Sequence, residues 1–317
     1  MNPRHLKHFL RVAELGSLSK AALVLFIAQP ALSRQMTELE HSLGVTLFLR
    51  SERGVSLTDA GKRLKRRAEA ILDELDDLRR ELTQAEDMPT GRLDILVTPS
   101  LSALIGAPSV ASFTALYPGV ELNVSEAASG IVNTWSWILD DRVSFAVGTT
   151  IEPMADMFSS PFAREPLCLF GPPDAGLALS RPERLERLTE VPLWLPLRNT
   201  TIRLILEARL AAARLQLRPI CSATSPALLV SAVSRGPVWT VLPYCSGARE
   251  HRAGLVSAAP LEDTAVTWNF VSSRNRALPA SAAAFQSVWR DTVAAQIASG
   301  AWPTAELIRE QDVPAGD

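Results

Sequence analysis

Gln29, Ser33, Arg34, Gln35 and Thr37 put five hydrogen-bonding side chains within nine consecutive residues. An arginine fork matches the O6/N7 edge of guanine, a glutamine amide matches the N6/N7 edge of adenine, and hydroxyls serve bases or phosphates. Such a set works only if one rigid element carries it. Leu32, Met36, Leu39 and Leu43 recur at steps of three and four, which predicts a helix from Gln29 to Ser42. The apolar stripe is then buried, and Gln29, Ser33, Arg34 and Thr37 point outward. Gln35 is expected beside them, near base edges or phosphates. Pro30 sits in the first turn, where a missing N–H costs nothing.

The preceding residues position this helix. Leu6, Phe9, Leu10, Val12 and Ala13 keep helical spacing until Gly16 stops them. Ser17 or Ser19 can cap a second helix running through Lys20–Leu25, and Phe26-Ile27-Ala28 forms a corner. Three short helices with a tight corner before the third describe a helix-turn-helix, whose last helix can enter a major groove. Val45–Arg50 and Val55–Leu57 then read as strands around Ser51-Glu52-Arg53-Gly54, a wing with Arg50 at its base and Arg53 at its tip.

Charge singles out the same region. Among the 317 residues, positions 1–67 hold twelve Lys/Arg and five acids, positions 68–88 carry net −6, and the rest carries −3, for a whole-chain charge of −2. A basic module joined to an acidic body implies a polyanion partner for the N-terminus alone. The first residues have no uninterrupted apolar stretch, so no secretory signal is expected. No run approaches about 18 apolar residues, so no membrane span is expected either. Cys168, Cys221 and Cys245 make no Cys-x-x-Cys pair and read as reduced core thiols in the cytoplasm.

These residues resemble the LysR family of bacterial transcriptional regulators. The matching run is Leu6-x-x-Phe9, Ala13-x-x-Gly16-Ser17, Ala21-Ala22 and Gln29-Pro30-Ala31-Leu32-Ser33-Arg34-Gln35. It continues through Leu39-Glu40-x-x-Leu43-Gly44-x-x-Leu47-Phe48-x-Arg50 to Leu57-Thr58-x-Ala60-Gly61. Within the family, Ile27-Ala28-Gln29-Pro30 is most similar to the nitrogen-assimilation-control branch. One departure is Ala28, where many members have a capping Ser or Thr; losing that cap costs about 1 kcal/mol.

Thr58 is a plausible N-cap for a long helix, with no proline before Pro89. Leu57, Gly61, Leu64, Ala68, Ile71, Leu75, Leu78 and Leu82 alternate steps of four and three, a heptad seam. Periodicity alone leaves two readings, a paired seam or a helix lying on its own body. The resemblance implies the first, a dimer through Leu64, Ala68, Ile71, Leu75, Leu78 and Leu82, holding two helix-turn-helix units against a two-fold related site.

After the Pro89-Thr90-Gly91 break, strands and helices alternate: Leu93–Val97, a helix to Tyr117, Val120–Val124, Ser129–Asp140 and Val143–Val147. The second half runs Pro166–Phe170, Pro192–Leu197, Ile202–Leu215, Pro219–Cys221, Ala227–Ser234 and Val238–Leu242. Alternation predicts doubly wound parallel sheets in two subdomains. The resemblance implies a periplasmic-binding-protein-like effector domain of two α/β lobes. The fold expected is therefore mixed: an all-α winged helix-turn-helix over 1–58, a linker helix over 59–88, and an effector domain over 89–317. Lobe one is placed at about 91–162 and 268–300, lobe two at about 163–267, with Trp268-Asn269-Phe270-Val271 as a return crossover.

Ligands of such sheets bind at strand carboxyl ends, beside helix N-termini. That places Thr98, Ser100, Ser129, Thr149, Asn199 and Thr200 around a cleft suited to a small polar or anionic effector; each alone could be a helix cap. Arg198 and Arg203 read as solvated surface. Some relatives sense oxidants through a cysteine at the start of the lobe-two helix, but Thr200-Thr201 stand there.

No Gly-x-Ser-x-Gly, phosphate loop, Gly-x-Gly-x-x-Gly or His-Glu-x-x-His occurs, so neither an enzyme nor a metal site is expected. A solute-binding protein would share the body but not the helix-turn-helix. The resemblance implies a regulator with no cofactor beyond its effector. Its expected partners are double-stranded operator DNA, further copies of itself as a dimer or tetramer, and RNA polymerase, with no membrane.

Overall fold

In the computed structural model, which describes residues 2–51, 54–83, 88–127, 135–140, 142–149 and 156–308, Asn2 opens the first helix. Its Oδ1 accepts from the His5 N–H at 2.9 Å, Pro3 follows, and α1 (Pro3–Leu15) ends at Gly16 with φ of 60°. Ser17 caps α2 (Leu18–Val24), accepting from the Lys20 N–H at 3.3 Å. The corner leads into α3 (Gln29–Leu43), where Ala28 supplies no side-chain cap bond. Phe9, Val12, Ala21, Leu32, Met36 and Leu39 fill the core between the three helices.

The wing is a hairpin of β1 (Phe48–Ser51) and β2 (Gly54–Leu57), antiparallel with Phe48 opposite Leu57. Glu40 Oε1 accepts from the Leu47 and Phe48 N–H groups at 2.7 and 3.1 Å, tying the wing to α3. Gly54, at φ of 126°, lies so near the Gly16 carbonyl that a Cβ would come within 2.5 Å of it. Thr58 Oγ1 accepts from the Gly61 N–H at 3.0 Å and starts α4 (Asp59–Thr83).

Residues from Met88 onward, apart from Asp140–Arg142, form a second compact unit. Its first half contains β3 (Gly91–Val97), α5 (Pro99–Leu101), a π-helical turn over Ser102–Gly106, α6 (Ala107–Leu116), β4 (Val120–Glu126), α7 (Trp135–Leu139), β5 (Phe145–Gly148) and β6 (Met157–Glu165). Next come β7 (Leu167–Gly171), β8 (Trp194–Pro196), α8 (Thr201–Ala212), β9 (Cys221–Ala223), α9 (Pro226–Val233), β10 (Thr240–Pro243), α10 (Ala248–Arg252) and β11 (Ser257–Pro260). The chain returns as β12 (Val266–Ser273), α11 (Ala280–Ala298) and β13 (Glu306–Leu307).

One lobe is built on a six-stranded sheet of order β13-β6-β12-β5-β3-β4, the other on β10-β7-β11 and the pair β8-β9. The sheets are mixed, which corrects the expectation of parallel ones. β3 is parallel to β4 and β5, and β8 to β9, but β12 runs antiparallel to both β5 and β6, and β7 to both neighbours. Alternation of strand and helix reports local pattern; β6 leaves the first lobe and β12 returns beside it, so these neighbours must oppose. Phe145, Phe162, Phe270, Phe285 and Trp289 interlock in the first lobe's core. Pro99–Leu116 is long and apolar enough by length and composition to cross a membrane. Here Leu101, Ile105 and Phe113 are buried in that core. Of the helix expected over Ser129–Asp140, Trp135–Leu139 is helical, and 128–134 lie outside the described residues.

Candidate nucleic-acid interface and ligand cavity

α3 presents Gln29, Pro30, Arg34 and Thr37 to solvent. The Arg34 side chain is 83% exposed, with Nε 3.1 Å from Glu38 Oε1, an exposed pair that a phosphate or base could displace at little cost. Thr37 Oγ1 donates to the Ser33 carbonyl at 3.1 Å, and Ser33 itself is half-buried. Gln35 lies elsewhere. Its Oε1 is hydrogen-bonded to Nδ1 of buried His8, so it joins α3 to α1 and does not belong to the outward set. A helix spreads side chains around its whole circumference, and position 35 falls one residue before buried Met36. The Arg50 side chain and Arg53 lie outside the described residues.

On α4, Ala68 is 0% exposed and packs with Leu72, Leu64 and Leu10 around Leu6 of the same chain. Ala68 therefore has no surface to give a second copy, a correction to the expected seam. The α1 helix covers the first two turns of that stripe. Ile71 is exposed and Leu75 half-buried, while the side chains of Leu78 and Leu82 lie outside the described residues.

In the second unit, Thr98, Ser100, Thr149 and Thr200 line one narrow cavity between the lobes, with Thr201 and Thr224. It holds about 40 Å³ that the centre of a water molecule can reach. Ile202, Leu229 and Leu242 supply apolar walls, and no charged side chain lines it among the described residues. Thr200 also caps α8: its Oγ1 accepts from the Arg203 N–H at 3.3 Å and donates to the Leu197 carbonyl at 2.8 Å. Thr201 is 3% exposed, and its hydroxyl oxygen has no hydrogen-bond partner. Asn199 is exposed and outside the cavity lining, and Ser129 lies outside the described residues.

Arg203 corrects a second expectation. It is 0% exposed, with Nε donating to Glu207 Oε1 at 2.7 Å and Nη1 to the Pro196 carbonyl at 3.3 Å. The arginine braces the loop that borders the cavity. Sequence missed it because the stripe of α8 buries Thr201, Ile202, Leu206 and Leu210, and Arg203 shares that side. A wider groove of about 520 Å³ near Arg181, Arg184 and Arg187 carries its own counter-charges, such as Arg187 to Glu190 at 2.7 Å. Cys168 and Cys245 are buried, and burial together with Glu165 pushes both thiols well above their ordinary range, which makes them poor redox sensors.

A winged helix-turn-helix joined to a two-lobed α/β body defines a DNA-binding regulator with a sensing domain. The chain belongs to the LysR family of transcriptional regulators: residues 3–62 match the bacterial regulatory helix-turn-helix protein, lysR family, and residues 86–294 match the LysR substrate binding domain. It is 29% identical to the HTH-type transcriptional regulator BbuR of Bordetella bronchiseptica over 93% of this chain and 91% of that protein. It is 31% identical to the nitrogen assimilation regulatory protein nac of Escherichia coli over 77% of this chain and 78% of that one. The fold matches a full-length OxyR variant from Pseudomonas aeruginosa at TM-score 0.69 and 18% identity, covering 98% and 99% of the two chains. CbnR complexed with its target DNA matches at 0.53 and 22%, covering 92% and 99%. The protein is thus a DNA-binding transcriptional regulator and not an enzyme.

Proposed function

We propose that this regulator is switched by a small polar or anionic metabolite held between the lobes by Thr98, Ser100, Thr149, Thr200 and Thr201. The observation that carries the reading is the convergence of these five hydroxyl-bearing residues on one cavity, together with a buried Thr201 hydroxyl that has no partner in the chain. An unmatched buried hydroxyl costs about 1–3 kcal/mol, which a ligand oxygen accepting from it would recover. Ligand affinity must differ between lobe arrangements, because equal affinity shifts nothing.

On this reading Gln29, Pro30, Ser33, Arg34 and Thr37 meet the operator, with Arg50 and Arg53 of the wing on phosphates. Ile71, Leu75, Leu78 and Leu82 pair two copies, and two dimers assemble as a tetramer on DNA. The setting is the cytoplasm, and RNA polymerase is the further partner. No cofactor is required beyond the metabolite.

The test is a thermal-shift titration with acetate, succinate, benzoate and inorganic sulfate, on wild type and Thr201→Val. A saturable rise in melting temperature for one of them, lost in Thr201→Val while operator affinity persists, supports the reading. An equal rise in both proteins refutes it.

A further inference from the structure

Glu165 is the last residue of β6, where the chain leaves the first lobe, and it is 1% exposed. Its Oε1 accepts from Trp268 Nε1 at 2.9 Å. Its Oε2 accepts from the Tyr244 N–H at 3.0 Å, from Trp302 Nε1 at 3.0 Å and from Thr304 Oγ1 at 3.2 Å. No cation bonds to it among the described residues. Donors surround it, yet its pKa is raised, because burial pushes it up by more than the side-chain bonds pull it down.

The donors come from both sides of the cavity. Tyr244 directly follows β10, which carries Leu242 into the cavity wall. Trp268 lies on β12, whose next residue, Asn269, pairs with Gly148, the residue before Thr149 on the opposite wall. Trp302 and Thr304 belong to the segment after α11, whose β13 pairs with β6. One carboxylate thus bonds behind both walls and to the strap beside the crossover. Packed apolar residues would serve stability as well as a buried charge does; what the carboxylate adds is a single permitted geometry for its donors.

We propose that Glu165 is a positioning residue for the cleft, setting the separation of its two walls and hence the lobe arrangement the ligand meets. The functional part of this rests on the cavity being the effector site; the geometric part does not.

The test is an intrachain distance between spin labels at Ala111→Cys on α6 and Ala211→Cys on α8. Both sites are exposed and lie in different lobes. The full chain is used, with Cys221→Ser and an excess of unlabelled copies to suppress distances between chains. The reference protein should give one narrow distribution. Glu165→Gln should broaden or split it, because the amide must turn an N–H toward Trp268 or toward Tyr244 and Trp302. Thr201→Val should leave it narrow. A folded Glu165→Gln with an unchanged distribution overturns the proposal, as does a broad distribution in the reference protein. If Glu165→Gln does not fold, Trp302→Phe removes one donor, and the same broadening or its absence decides. A broadened distribution together with ligand binding indifferent to Thr201→Val would leave the positioning role of Glu165 standing and refute the cavity as the effector site.

Discussion

The side-chain oxygen of Gln35 is hydrogen-bonded to Nδ1 of His8, joining α3 to α1 beneath the surface that Arg34 presents. Adjacent residues on one helix thus have opposite duties. Arg34 faces solvent, where the proposed operator contact lies, and Gln35 ties α3 to α1. Gln35→Ala should therefore cost about 0.5–1.5 kcal/mol of stability, as a lost hydrogen bond does. Melting would record this, while base preference in operator titrations stays as in wild type. A changed preference with unchanged melting would return Gln35 to the reading face.

Ala68 and Leu75 separate intrachain packing from pairing. Ala68→Asp puts a charge into the Leu6–Leu72 cluster and should destabilise the helix-turn-helix unit by several kcal/mol. Leu75→Asp should leave that unit folded and weaken association. Circular dichroism and light scattering distinguish the two. A Leu75→Asp protein of wild-type mass would show that the seam packs elsewhere.

Thr200 and Thr201 should also differ. Thr200→Val removes the cap of α8, costing about 1 kcal/mol, and its melting temperature should fall with or without ligand. Thr201→Val removes a hydroxyl that bonds nothing in the chain, so the unliganded protein should melt as wild type or higher. The reverse order would exchange their roles.

His251 supplies a pH dependence. Burial lowers its pKa below the ordinary 6.5, and its Nδ1 is hydrogen-bonded at 3.1 Å to the hydroxyl of Tyr244, whose phenol is pushed up to about 12, chiefly by burial. The folded chain binds this proton less readily than the unfolded chain. Stability from the neutral imidazole is full above 6.5 and is lost as pH falls toward the folded value. The melting-temperature difference between about pH 7.5 and about pH 5.5 should shrink in His251→Gln. An unchanged difference would mean that His251 titrates equally in both states.

The helix-turn-helix was legible because caps, apolar period and the Gly16 and Gly44 stops are local signals. The cavity hydroxyls Thr98, Ser100, Thr149 and Thr200 were legible for a related reason: strand ends and helix starts mark the cleft rim. Strand direction in the sheets was not legible, because β6 and β12 become neighbours across about a hundred residues of the other lobe. Arg203 and Glu165 were hidden too. A charged residue reads as surface until its partners are known, and those of Glu165 come from distant segments. Gln35 looked outward because neighbours on either side of a helix share a polar alphabet.

If the exposed face of α3 reads DNA, Arg34 is the side chain whose loss should weaken binding most. Duplexes selected from a random pool by the wild-type protein would be titrated with wild type and with folded Arg34→Ala at several salt concentrations. Wild-type affinity should fall steeply with salt, and Arg34→Ala should lose about 1–3 kcal/mol, roughly five- to a hundred-and-fiftyfold. Equal affinity for the selected duplex at every salt concentration would contradict that reading.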